Sequence, residues 1–172
     1  MRIHFSADDV KLDVAKAAGG QFAPTLASAK NGSVLIELAK AELQGFLMAF
    51  AQAAAAEQGA KIESAELTLR QAADRAVAAT LRVKAKKAFV PATVTVDGRA
   101  DVDDRLTVTL SGLRAAGEGM VGSMVAGLLE GKLKQFEGKA FDVAPPALRN
   151  VRLRDLKVDA GDPVRLTAAF ES

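Results

Sequence analysis

Between Lys61 and Leu110 the apolar residues fall in four short runs that keep largely to every second position. The first runs through Ile62, Ala65, Leu67 and Leu69, with Glu66, Thr68 and Arg70 between the last three. Val77, Ala79, Leu81 and Val83 make the second, Val94 and Val96 the third, and Leu106, Val108 and Leu110 the fourth. Successive side chains of a strand point to opposite faces, so each run has one apolar and one wet face. Strands of a parallel sheet are covered on both sides and read as unbroken apolar stretches. The pattern therefore predicts antiparallel hairpins, turning at "QAADR" (Gln71–Arg75) and "DVDDR" (Asp101–Arg105).

A sheet that is apolar on one face needs a cover, and two helical stretches can supply it. From Ala39 to Gln58 the residues Leu43, Phe46, Leu47, Phe50 and Ala54 recur at helical spacing, and Gly59 offers a stop. Glu42, Gln44, Gln52 and Glu57 fall on the remaining faces. A second helix is expected from Glu118 to Phe136, with Val121, Val125, Leu128, Leu129, Leu133 and Phe136 on one side and an end near Gly138. Ile3, Phe5, Val10, Leu12 and Val14 mark an extended piece at the start, and the Gly-, Ala- and Ser-rich residues Ala17–Ser33 read as a loop before "VLIEL". "VAPP" (Val143–Pro146) breaks the chain. A final hairpin follows, and its apolar phase moves from Val151 and Leu153 to Leu156 and Val158, which predicts a β-bulge near Arg154 or Asp155. The fold class expected is α+β: a long, strongly curved antiparallel sheet wrapped around a long amphipathic helix, with a second helix before a C-terminal hairpin. With 172 residues at 49% hydrophobic, one domain with one core is expected.

Gly117, Gly119 and Gly122 have the G-x-G-x-x-G spacing of a dinucleotide-binding loop, and Glu137 follows at the distance of a ribose-binding carboxylate. That motif requires a central parallel strand and a second strand to carry the acid. Here the strand alternates, and Glu137 falls at the end of the same helix, so the glycines are read as the start of the helix and a close helix–sheet contact. There is no Cys, which removes thiol chemistry and disulfides, and the sole histidine, His4, removes any two-histidine metal site and is the one base a Ser-His-Asp triad could use; on the first strand it is read as structural. Asp97, Asp101, Asp103 and Asp104 lack the calcium-loop pattern and are read as turn residues. A net charge of +2 without Trp or Tyr argues against nucleic acid. Lys84, Lys86 and Lys87, with Arg149, Arg152, Arg154 and Lys157, are read first as solvated outward positions and second as a basic face for anionic head groups. Met120–Leu129 is about half of the ~20 residues a spanning helix needs. "MRIHFSADDV" alternates and is charged where a signal peptide would be apolar, so a soluble, cytoplasmic protein is expected, or a periplasmic one if a signal sequence was removed.

In the order of its elements, and in "TVTVDGRADVDDRLTVTLSGL", "GLLEGKLKQFEGKAFDV" and "LRNVRLRDLKVDAGDPVRLTAAF", the chain resembles the tubular lipid-binding (TULIP) superfamily, closest to its small bacterial single-module members. The resemblance runs from about Val34 to Phe170 and implies a curved sheet around a long helix, with a lipid or other apolar ligand held in a tubular cavity. It implies a non-catalytic carrier or sensor without a cofactor, whose partners are a lipid or fatty-acid-like molecule and, transiently, a membrane surface. Leu43, Phe46, Leu47 and Phe50 of the first helix and Met124, Leu128 and Leu133 of the second would line the tube. Each buried methylene contributes ~0.8 kcal/mol, so an acyl chain of about ten carbons would bind without polar precision. The alternative is a scaffold or protein-interaction module with the same fold and a filled core.

Overall fold

The computed structural model describes residues 1–16, 22–56, 59–87, 89–144 and 151–170. The alternating runs form two long hairpins: β3 (Lys61–Ala73) with β4 (Ala76–Lys87), and β5 (Val90–Val102) with β6 (Thr107–Glu118). Together with the short β7 (Ala140–Asp142) they make an antiparallel sheet in sequence order. Cross-strand partners share a face, so the register assigns the two surfaces directly. Ala65, Val83, Val94 and Gly117 form one row, and Leu67, Leu81, Val96 and Ala115 the next. The opposite face carries Glu66, Arg82 and Thr95, then Thr68, Thr80, Asp97 and Arg114.

β6 runs eight residues past the last expected strand position, Leu110. Gly112, at φ +62°, is the extra residue of a bulge opposite Asp97–Arg99. Only glycine takes this backbone conformation freely. The bulge returns Ala115 to the apolar face that Leu110 occupies, and the same phase change hides the strand's continuation from a period-two reading.

The expected single curved sheet is replaced by two. β1 (Arg2–Lys16), β2 (Phe22–Leu38), β8 (Leu153–Asp159) and β9 (Val164–Phe170) form a second antiparallel sheet in the order β1-β2-β9-β8. The chain leaves this sheet at α1 (Lys40–Ala56) and rejoins it after β7, so the strands flanking the meander pair with one another. Within the loop expected over residues 17–33, β2 already begins at Phe22. Its Ala, Lys, Asn and Gly have weak strand preference, and cross-strand pairing with Lys11–Lys16 supplies what propensity lacks over its first half. The bulge in the final hairpin is present, with the register slipping between Arg154 and Lys157 and Asp155 at φ +52°. α2 spans Gly119–Leu133, ending one turn before Phe136. Pro145, Pro146, Glu57 and Arg149 lie outside the described residues.

The main core lies where the two sheets meet. Val34, Leu153, Leu156, Val158, Ala168 and Phe170 of the four-stranded sheet, with Val151 just before β8, close over Leu106, Val77 and Val102 from the turn end of the five-stranded one. Leu106 is at φ +60°, a conformation costly for a branched side chain, and only 1% of it is exposed. Burial of the whole side chain offsets that strain. Val158 N–H donates to Asp74 O at 2.7 Å and Leu153 N–H to Asp104 O at 2.9 Å, tying both turns of the meander to β8 and its approach. The other end of the five-stranded sheet, with the β4–β5 turn and the start of α2, therefore points away from the core.

Candidate functional site

α2 is seated by its glycines. Gly119, at φ +73°, turns the chain from β6 directly into the helix. A Cβ on Gly117 would strike the Gly122 carbonyl, and one on Gly122 would stand 2.8 Å from Thr93 O. Strand backbone and helix backbone thus touch where a Rossmann loop would leave room for a pyrophosphate. Glu137 is also committed: its carboxylate accepts the N–H groups of Gly112 at 2.8 Å and Leu113 at 2.9 Å. These bonds hold its pKa below the ordinary carboxylate range, with Arg114 adding a weaker pull.

From this seat α2 presents three kinds of surface. Gly122 and Ala126 are buried against the sheet, and Val121, Val125, Leu129 and Leu133 are half-buried. Met120, Met124 and Leu128 repeat every four residues on a solvent-facing stripe, with Met124 53% and Leu128 56% exposed. The apolar arc of α2 is thus wider than the strip that β5 and β6 cover.

α1 is turned differently from its expected orientation. Gln44 Nε2 donates to Ala65 O at 3.0 Å, and Leu67 N–H donates to Gln44 Oε1 at 3.4 Å. The Gln44 amide occupies the place of a neighbouring strand on the free edge of β3 and blocks edge pairing there. Gln44, expected on an outer face, therefore packs inward with Leu43, Leu47 and Met48, and Phe46 is carried outward at 70% exposure.

Of the seven residues expected to line a tube, Leu43, Leu47 and Leu133 are half-buried, and Phe46, Met124 and Leu128 face solvent. The side chain of Phe50 lies outside the described residues. The two groups rest on different strands, since α1 lies against β3 and α2 against β5 and β6. Two open clefts flank α1 instead. One, of about 430 Å³, is lined by Lys40, Gln44, Gly45, Met48, Ala65 and Asp162. The other, of about 400 Å³, is lined by Met1, Arg2, Glu37, Glu42 and Pro163 among others. No family model, curated protein or solved structure matches this chain.

The polar groups singled out in the sequence have structural partners or face water. Asp103 Oδ1 accepts from Arg105 N–H and Thr107 N–H and shapes the β5–β6 turn. Asp104 pairs with Arg152, Asp101 with Arg99, and Asp97 accepts from the Thr80 hydroxyl. The guanidinium beside each of Asp101 and Asp104 lowers its pKa. Among the described residues no three His, Cys, Asp or Glu side chains gather into a metal-holding group. His4 is exposed on β1. No described helix is long and apolar enough to cross a membrane. Two features escaped the sequence reading: the edge cap by Gln44, a polar residue inside an apolar arc, and the exposed Phe89 beside the lysines of β4.

Proposed function

We propose that this protein is a non-catalytic binder of an apolar ligand, a lipid or fatty-acid-like molecule, taken up against α2. The observation that carries the reading is the stripe of Met120, Met124 and Leu128. It adjoins half-buried Val121 and Val125, and Lys132 is the next residue of the same four-residue series, so an acyl chain laid along the first three turns would cover an apolar surface that ends at a charge. Methionines suit such a surface because their unbranched, polarisable side chains adapt to ligands of varied shape. Leu69, Leu81 and Val96 on the apolar face of the sheet are also half-buried. Closure of the sheet around α1, as in the tubular lipid-binding superfamily the chain resembles, would turn this open face into a tube lined by Leu43, Leu47 and Leu133 as well.

Titration with a fluorescent fatty acid tests the reading. Saturable uptake is expected, lost in the pair Met124→Asp and Leu128→Asp and retained in Glu130→Ala. Both apolar positions are solvent-facing, so the double variant should fold. Absence of uptake by the unaltered protein would refute the carrier reading and leave the scaffold.

A further inference from the structure

We propose that the end of the five-stranded sheet carrying the β4–β5 turn is a docking surface for an anionic lipid bilayer. This goes beyond ligand uptake and, Met120 apart, stands on different residues. Lys61 of β3 and Lys86 of β4 are direct cross-strand partners, and Lys84 lies two residues along on the same face. Like charges placed opposite one another destabilise a sheet, so a folded chain keeps such a pair at a cost. Among the described residues none of these three lysines has an ion pair. Four arginines are placed otherwise: Arg82 with Glu118, Arg99 with Asp101, Arg152 with Asp104 and Arg165 with Glu37. With Glu118 held by Arg82, Glu63 and Glu66 of β3 are the other described carboxylates nearby, Glu66 lying opposite Arg82. α2 begins at the same end; its N-cap, Glu118, makes no side-chain cap, so the first-turn N–H groups put partial positive charge beside that carboxylate.

The apolar part of the surface is Phe89, at the turn, with Val90 beside it and Met120 at the start of α2. Phe89 holds φ +72° and is 91% exposed. Leu106 carries comparable backbone strain and is compensated by burial in the core. For Phe89 the fold offers no compensation, and glycine would hold the turn with less strain. An aromatic ring projected into water at the end of the lysine-bearing strand β4 matches the interfacial layer of a bilayer, where the ring meets acyl chains and the ammonium groups meet anionic head groups. This end points away from the core between the sheets, so it can meet a flat surface without obstruction from the second sheet.

Sedimentation with phosphatidylcholine vesicles, with and without phosphatidylglycerol, tests the proposal. Binding is expected to the anionic vesicles only and to weaken with added salt. Lys84→Gln with Lys86→Gln should weaken it by roughly 25-fold, about five-fold for each lysine near the surface. Phe89→Gly should weaken vesicle binding while thermal stability is kept or raised, which separates docking from folding. Arg152→Gln, at an arginine before β8 that is paired with Asp104 at the opposite end of the five-stranded sheet, should leave vesicle binding unchanged. Equal binding to neutral and anionic vesicles, no binding to either, or indifference to the lysine and Phe89 variants would overturn the proposal. Binding to heparin with none to vesicles would overturn it too, since the surface would then serve an acidic macromolecule.

Discussion

The contact between Gly117 and Gly122 decides how α2 is held, and alanine substitutions at four glycines test it. At Gly117 the new Cβ meets the Gly122 carbonyl, so backbone opposes backbone and the helix must lift from β6. Overpacking of this kind costs ~1–3 kcal/mol, and contact between two main chains, which cannot rotate away, places Gly117→Ala near the upper end. Gly122→Ala meets Thr93 O at 2.8 Å, but a helical glycine replaced by alanine also gains up to ~1 kcal/mol, so the net loss should be smaller. Gly127 and Gly131 have no atom within 4 Å of an added Cβ, and there only the helical gain remains. A domain of this length moves its Tm by about 2–4 °C per kcal/mol. By calorimetry Gly117→Ala should therefore melt roughly 6–12 °C below the unaltered protein, and Gly127→Ala about 2–4 °C above it. Melting of Gly117→Ala together with the parent would refute the close approach of helix and strand. Saturable NAD or ATP binding by the unaltered protein would show that the glycines serve a nucleotide after all.

Gln44→Ala should strip the β3 edge of its cap and cost ~1–3 kcal/mol in urea unfolding, because Ala65 C=O and Leu67 N–H lose their partner. Leu67→Ala, at one of the most deeply buried side chains, should cost ~2–5 kcal/mol in the same assay. Glu37, Asp104 and Glu137 have folded pKa values lowered by Arg165, by Arg152 and by two backbone N–H groups respectively. The unfolded chain takes up protons first, so their stabilisation is complete above the ordinary carboxylate range, about pH 4, and is lost as pH falls through the lowered values. Urea midpoints measured from neutral to acidic pH should fall accordingly, and Glu137→Gln should flatten that fall.

The one-faced meander was legible because alternation over Lys61–Leu110 leaves few other structures open, and the bulge near Arg154 was legible because a phase slip has one simple cause. β2 was not legible, since residues such as Ala27, Ser28 and Ala29 become strand through pairing with β1, a long-range fact that local composition does not carry. The division into two sheets is hidden for the same reason. For the helices, spacing located the apolar arcs but left open which part of an arc meets the sheet. In α2 the backbone contact at Gly122 fixes the rotation, and Met124 and Leu128 turn to solvent. In α1 the hydrogen bonds of Gln44 outweigh the preference of Phe46 for burial.

The hairpin of β1 and β2 reaches beyond the rest of its sheet. β2 pairs with β9 only over Gly32–Leu38, and from Phe22 to Ser28 its partner is β1 alone. A two-stranded ribbon has no third strand to hold its ladder when one side loosens. Its amide protons should therefore exchange with solvent through local openings, well before those of Val34 and Ala168, whose exchange requires the whole core to separate. Native-state hydrogen exchange would then resolve this chain into two cooperative units, with the boundary inside a single strand, between Ser28 and the buried Ala29.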